Sequence, residues 1–249
     1  MSDAPAPDRH GDAIRIDGDY QHRARTRGFV VQRFWHAEKE RVIRRYAMPA
    51  RGETVLDVGC GSGVLSDFLA RQGATVIAID SNPAAIEYAR RTFARPGLDF
   101  RLSTVDELGL APESLDRSYC FELIEHIHLH QTRALFRQIH DLTRTGGTLA
   151  ITTPNYAGVW PVIERALDMT KLVPRLGGDQ HVTHFTRRLL EATLAECGWT
   201  VERITTFSTI APWMSVFGWR VAERIADRED RWNLRFGSIL LATAIKSAA

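Results

Sequence analysis

The chain has 249 residues, 44% of them hydrophobic and 25% charged, with a formal net charge of +2. That length builds one large domain with a substantial core, and the charge is too small to argue for a polyanionic partner. The composition is that of a soluble globular protein, and no window reaches the roughly 18 apolar residues that a bilayer span needs. The three cysteines, Cys60, Cys120 and Cys197, have no C-x-x-C spacing. Residues 1–13 are polar with Pro5 and Pro7, unlike a secretory leader, so free thiols in a reducing cytoplasm are expected.

Residues 1–19 read as a loose tail and residues 20–249 as a single domain. Two helices are predicted over 20–48, with Phe29, Val30, Phe34, Trp35, Val42, Ile43 and Tyr46 as apolar positions. The basic run Arg23–Arg27 reads as a solvated face. A rhythm then sets in: strand 54–58, helix 63–72, strand 75–80, helix 83–94 with Pro83 in its first turn, and a short strand 99–103. A fourth strand at 118–121 leads into a helix ending near 143, and Gly146-Gly147 closes that unit before strand 148–152. Alternating strands and helices imply an α/β fold, a doubly wound and mostly parallel sheet covered on both faces. Residues 156–186 and 207–235 interrupt the rhythm as cap insertions. Thr186 is the expected N-cap of helix 187–197, closed by Gly198. Strand 200–206 and an antiparallel strand 236–245 complete the set.

Two features of the first half point to a nucleotide-type cofactor. Val-Leu-Asp-Val-Gly-Cys-Gly-Ser-Gly (55–63) is a strand, a glycine turn and a helix start, which lets a ligand lie against bare backbone at a strand's carboxyl end. Asp80 ends the second strand, where a carboxylate accepts charge-assisted hydrogen bonds from a ribose diol. A packing turn, and an Asp capping helix 83–94, are the competing accounts of the same residues.

Together with Ala-Ile-Asp-Ser-Asn-Pro (78–83) and Gly-Gly-Thr-Leu-Ala-Ile-Thr-Thr-Pro-Asn (146–155), that segment resembles the class I S-adenosylmethionine-dependent methyltransferases. The resemblance spans about residues 54–246. It implies a Rossmann-like sheet of seven strands, the last antiparallel, with S-adenosyl-L-methionine as cofactor. The implied cofactor contacts are Asp57, Gly59, Cys60, Gly61, Gly63, Asp80, Ser81, Thr104, Val105, Asp106 and Phe121. Of these, the glycine loop would cradle the methionine part, Asp57 would support that loop, and Asp80 would hold the ribose. Ser103–Asp106 would lie beside the adenine, through the backbone N–H of Val105.

Glu-Leu-Ile-Glu-His (122–126) follows directly on the fourth strand. On a helix start, Glu122, Glu125 and His126 share one face, and two carboxylates so close repel unless something positive sits between them. Two hard oxygens and an imidazole suit Mg, Mn, Zn or Fe(II). The pentapeptide resembles the Glu-x-x-Glu-His of the ubiquinone-biosynthesis catechol O-methyltransferases and of small-RNA 3′-terminal 2′-O-methyltransferases. The latter take a further His, for which His181 is the first choice here and His184 the second. The catalytic and metal set is therefore Glu122, Glu125, His126 and His181. Without a cation, His126 or His181 is the general base; His128 and His130 read as solvated.

Trp213-Met214-Ser215-Val216-Phe217-Gly218-Trp219, with Trp160, Met169, Leu172 and Val173, suits a roof over an apolar acceptor. Core packing, a homodimer interface and a peripheral membrane contact over 213–226 compete for the same segment. The leading reading is O-methylation of a hydroxyl on a small aromatic, quinone-like or lipid-like molecule. RNA 2′-O-methylation is the second; the chain shows no basic, aromatic-interleaved RNA module for it. A cofactor-binding protein without catalysis and a nicotinamide dehydrogenase are the third and fourth.

Overall fold

Val55, Leu56 and Val58 are buried because strand β1 (Thr54–Val58) lies in the interior of a sheet covered on both sides. The structure is a computed structural model that describes residues 17–170, 180–232 and 235–248. β1 pairs in parallel with β2 (Thr75–Asp80) and with β4 (Leu115–Phe121), and β2 pairs in parallel with β3 (Leu98–Leu102). β5 (Thr143–Pro154) is parallel to β4, and β7 (Ile239–Ile245) runs antiparallel between β5 and β6 (Thr200–Phe207). The spatial order is β3-β2-β1-β4-β5-β7-β6, so the doubly wound sheet of seven strands with an antiparallel last strand is present.

Side chains alternate across this sheet with the period of two that strands impose. Leu56, Val58, Ile77 and Ile79 belong to the core on one face, with helices α5 (Leu129–Leu142) and α7 (Arg187–Glu196) supplying Phe136, Ile139, Leu190 and Leu194. Val55, Val76 and Ala78 belong to the core on the other face. There α2 (Val30–Tyr46), α3 (Val64–Arg71) and α4 (Pro83–Thr92) contribute Val42, Ile43, Phe68 and Ile86. α1 (Tyr20–Arg27) precedes α2, as the two expected N-terminal helices. Asn82 caps α4 by accepting from the Ala84 N–H, and Thr186 caps α7 by accepting from the Leu189 N–H.

Three local features differ from the sequence reading. β4 begins at Leu115 rather than Ser118, and β5 at Thr143 rather than Thr148. Gly146 and Gly147 lie inside β5, at an irregularity where the register against β4 shifts, so they bend the strand instead of ending the unit before it. The helix expected directly after β4 starts only at Leu129. Glu122 takes a left-handed φ of 52° and residues Ile124–His126 form a single 3₁₀ turn. Glu122, Glu125 and His126 therefore do not share one α-helical face, because the chain reverses at Glu122 before it can wind.

The insertions form the cap. The first carries α6 (Trp160–Thr170); residues 171–179, with Leu172 and Val173, lie outside the described residues, as do residues 1–16 of the expected tail. The second folds as α8 (Ala211–Met214), a 3₁₀ turn (Ser215–Phe217) and α9 (Trp219–Trp232). α9 turns Ala222 and Ala226 inward against Phe34 of α2, with Trp219 packed edge-to-face on Phe34 at 4.9 Å. The apolar character of 213–225 is thus split between this small core and an outer surface that exposes Trp213, Val216, Phe217 and Val221. Among the described residues no helix is long and apolar enough to cross a membrane.

Buried charge fixes the second cap insertion in place. Arg41 donates to Glu38 at 2.6 Å and bonds Asp230, while Glu229 accepts from the N–H groups of Thr209, Ile210 and Ala211 at 3.2, 2.6 and 3.1 Å. Burial pushes the Glu38 carboxyl up to about 7 even beside Arg41. Replacing Glu229 with Ala strands three backbone donors in an environment where Glu229 itself is 2% exposed. We expect a loss of about 2–4 kcal/mol, read as a melting temperature lower by roughly 5–15 °C; a fall under 2 °C would show that water replaces the carboxylate without cost.

Candidate active site

The strand order reverses between β1 and β4, since β1 continues to β2 on one side and β4 to β5 on the other. In an open α/β sheet the carboxyl ends on either side of such a reversal diverge and leave a crevice. The loop after β1 is the glycine turn, and the loop after β4 is the Glu-x-x-Glu-His segment. The two sequence motifs therefore face one space.

The turn after β1 is built for close approach. Gly59 and Cys60 donate their N–H groups to the Ile79 carbonyl at 2.9 Å each, which ties the loop to the end of β2. Gly61 and Gly63 have φ of 51° and 81°, left-handed values that favour glycine. A Cβ on Gly63 would stand 2.7 Å from the Phe100 ring, and one on Gly61 would stand 2.1 Å from the Gln21 amide. Asp57 is buried beneath and accepts from the Ser66 hydroxyl at 2.6 Å; burial raises its carboxyl to about 6. Gln21, Lys39, Asp57, Gly59, Cys60 and Phe121 line the cleft above.

Asp80 accepts from the Gly61 N–H and the Asn82 N–H, both at 2.8 Å. It thus holds the glycine loop directly, and the carboxylate keeps acceptor capacity for a further donor. Burial raises its carboxyl, with the Asn82, Gly61 and Ser81 N–H groups acting against that shift. Ser81 is exposed beside it. After the end of β3, Val105 is buried, Asp106 is exposed, and the Thr104 hydroxyl is buried without a partner among the described residues. A left-handed bare-backbone cradle, a carboxylate at the second strand's end and an orphan hydroxyl beyond it fit the expected cofactor.

Sequence reading missed the floor's other side. Gln21 accepts from the Ser62 N–H at 2.8 Å and the His22 N–H donates to the Ser62 hydroxyl at 3.0 Å, so α1 sits on the glycine loop. Arg25, read as part of a solvated run, lines the same cleft and pairs with Glu40 at 3.4 Å.

On the β4 side, ligand atoms of Glu125, His126 and His181 all lie within 4.8 Å of one another. Glu122, expected to join them, instead pairs with Lys39 of α2 at 2.7 Å and is not part of that group. His184, the second choice, is exposed and stacks on Tyr156 at 4.0 Å. Glu125 is 1% exposed, accepts from the Thr153 hydroxyl at 2.9 Å, and has its carboxyl raised to about 8, by burial first and by the Glu122 charge second. Burial lowers His126 to about 4 and also lowers His181, so both rings are neutral at pH 7 and offer lone pairs rather than charge. His126 Nδ1 lies 2.8 Å from the Gln180 carbonyl and must donate there, which leaves Nε2, 4.0 Å from Glu125, as its free acceptor. One carboxyl oxygen, which a bound cation would make anionic, and two neutral imidazoles form a donor set that suits a divalent transition metal.

Of the expected roof, Trp160 is buried with its ring 5.9 Å from His181 and 5.7 Å from Trp35. Met169 is exposed, and the 213–219 segment packs on α2.

A family described as a methyltransferase domain matches residues 28–204. The ubiquinone biosynthesis O-methyltransferase of Xylella fastidiosa (strain 9a5c) is 32% identical over 188 residues, covering 74% of this chain and 72% of that protein. The protein of the same name from Xanthomonas campestris pv. campestris (strain B100) is 39% identical over 117 residues, 46% of this chain and 47% of its own. A solved S-adenosylmethionine dependent methyltransferase from Mesorhizobium loti has the same fold, with a TM-score of 0.61 at 20% identity over 82% of this chain and 96% of that one.

The raised Glu125 carboxyl sets a pH dependence with a definite sign. Between its ordinary value of 4.5 and about 8, the folded chain keeps a proton that the unfolded chain has lost. Its contribution to stability is whole below pH 4.5 and is lost as pH rises through 8. In chelator, the wild type should lose stability relative to Glu125→Gln steadily from pH 5 to about pH 8. Melting curves showing a constant difference would mean that Glu125 ionises like a solvated acid.

Proposed function

Because the chain belongs to the S-adenosylmethionine-dependent methyltransferases, we propose that it transfers the donor's methyl group to a hydroxyl of a small aromatic, quinone-like or lipid-like acceptor, with a divalent cation at Glu125, His126 and His181. The observation that carries this reading is the convergence of those three ligand atoms at the crevice that also receives the glycine loop. The donor, when bound, supplies an electrophilic methyl on a sulfonium sulfur, and the cation, when bound, lowers the pKa of a coordinated hydroxyl.

The chain's own residues do the positioning. Gly59, Gly61 and Gly63 admit the methionine part against backbone, and Asp80 offers its remaining lone pairs to the ribose hydroxyls. Thr104 and the Val105 backbone stand where the adenine would rest. Glu125 would supply negative charge once a cation displaces its proton, and His126 and His181 supply neutral nitrogen. The Trp160 ring beside His181 gives the acceptor an apolar wall and excludes water. A histidine base acting alone is the weaker account. His126 at about 4 is far from the neutral value at which a general base works well at pH 7. An RNA 2′-hydroxyl would use the same three ligands, but a net charge of +2 provides little of the field that phosphate binding requires.

Asp80→Ala removes one charge-assisted bond to the glycine loop, one to the Asn82 N–H and the diol's acceptor, each worth about 1.5–3 kcal/mol. Calorimetry should show S-adenosylmethionine affinity at least about 100-fold weaker; unchanged affinity would sink the cofactor assignment. Glu125→Gln should lower methyl transfer about 100-fold or more with donor affinity nearly intact. Transfer that survives both that change and exhaustive chelation would remove the cation from the mechanism.

The outer surface of the cap supports acceptor delivery from a lipid surface. Trp213, Val216 and Phe217 are 45%, 50% and 73% exposed, beside Arg220, Arg224, Arg228 and Arg231, which are all exposed on α9. Aromatic groups next to cations suit an anionic bilayer interface. Replacing both Trp213 and Phe217 with Ser should reduce co-sedimentation with anionic vesicles and raise the acceptor KM at constant kcat. Loss of a dimer with vesicle binding and KM unchanged would assign this face to a second copy of the chain.

A further inference from the structure

Glu164 stands on α6, in the cap, yet is buried at 8% exposure. Among the described residues its one partner within ion-pair distance is the neutral His181, at 2.7 Å, and no Lys or Arg meets it. A buried carboxylate without a cationic partner is costly, so its place in the fold asks for a reason. Its Oε1 atom lies 2.7 Å from His181 Nδ1 and 2.9 Å from the Tyr156 hydroxyl, and that hydroxyl lies 2.8 Å from the same Nδ1. A carboxylate only accepts, so Nδ1–H and Tyr156 O–H both donate to it. A neutral imidazole has a single N–H, and fixing it on Nδ1 leaves the lone pair on Nε2. His126 reaches the same state through a neutral acceptor, the Gln180 carbonyl.

We propose that Glu164 is a positioning residue: with Tyr156 it holds His181 as the Nδ1–H tautomer, so that Nε2 serves the group formed with Glu125 and His126. This rests on the reading of those three residues as the acceptor-activating centre. Tyr156 is itself fixed, by its stack on His184 and by its N–H donating to the Phe185 carbonyl at 2.9 Å. Trp160, one turn before Glu164 on the same face of α6, packs its ring near His181. The cap helix thereby sets both the orientation and the donor strength of one ligand, as carboxylate–histidine pairs do around metals.

The test uses the full chain with ¹⁵N-labelled histidine and Co(II) as the probe ion. Imidazole ¹⁵N shifts of the metal-free wild type should show His181 protonated on Nδ1. Glu164→Leu should lose that single tautomer, bind Co(II) about 10–100-fold more weakly with an altered d–d spectrum, and lower kcat while leaving S-adenosylmethionine affinity within twofold. Glu164→Gln, which keeps an acceptor oxygen, should retain the tautomer and recover part of the Co(II) affinity. A wild-type His181 protonated on Nε2 overturns the proposal, as does Glu164→Leu with Co(II) affinity within twofold of wild type. Should the Leu variant not fold, the wild-type tautomer and the Gln variant decide the question alone. The tautomer is read without turnover. Full methyl transfer by His181→Asn would therefore overturn the functional reading while leaving the Glu164–His181 geometry standing.

Discussion

The parallel pairing of β1 with β4, Val58 beside Cys120, is the constraint on which the rest depends. It places the ends of two strands far apart in sequence next to each other, and it does so at the reversal of strand order. The backbone leaving Val58 and the backbone leaving Phe121 are forced apart there, and each must turn at once. Glycines make the first turn and a left-handed Glu122 followed by a 3₁₀ turn makes the second. The crevice is thus a consequence of topology, and the two loops form its walls.

Buried acids are the second organising fact. Asp57, Glu125 and Glu164 are each withdrawn from water around this crevice, and each is handled differently. Asp57 has a hydroxyl donor, Glu125 has a hydroxyl and a neighbouring negative charge, and Glu164 has an imidazole and a phenol. None has a cation within ion-pair distance among the described residues. A protein that only needed stability would replace such groups with apolar ones at little cost or with gain. Their concentration at one end of the sheet sets that end apart from the apolar core that the rest of the sheet builds.

Much of this was legible in the sequence where the signal is local. The glycine turn and Asp80 announce themselves because their function is carried by residues a few positions apart, on a strand end whose apolar run is unmistakable. The seven strands with an antiparallel last one followed from the alternation of elements and from the resemblance, and the structure bears them out. What was not legible depends on long-range contact. Glu122 looked like a ligand because an α-helical start was assumed; the left-handed turn at that residue and a lysine 83 positions earlier take it elsewhere. By residue type, Gln21 and Glu164 carry no local signal that sets them apart from ordinary helix-surface residues. For Glu164 one signal existed: it lies four residues after Trp160, on the face of α6 that a buried tryptophan had already marked as inward.

The cap and the crevice are joined through adjacent residues of α2. Glu38 and Lys39 are successive, so they leave the helix about 100° apart. Glu38 enters the cluster with Arg41 and Asp230 that fastens α9, and Lys39 reaches across to Glu122. Glu122 is in turn the second influence on Glu125 after burial. A shift of α2 that loosened the first pair would move Lys39 away from Glu122 and leave that carboxylate's charge uncompensated. Two like charges at the end of β4 would then repel more strongly, and Glu125 would hold its proton to higher pH. The seat of α9 on α2 is thus linked, through Lys39 and Glu122, to the ionisation of the buried Glu125 carboxyl.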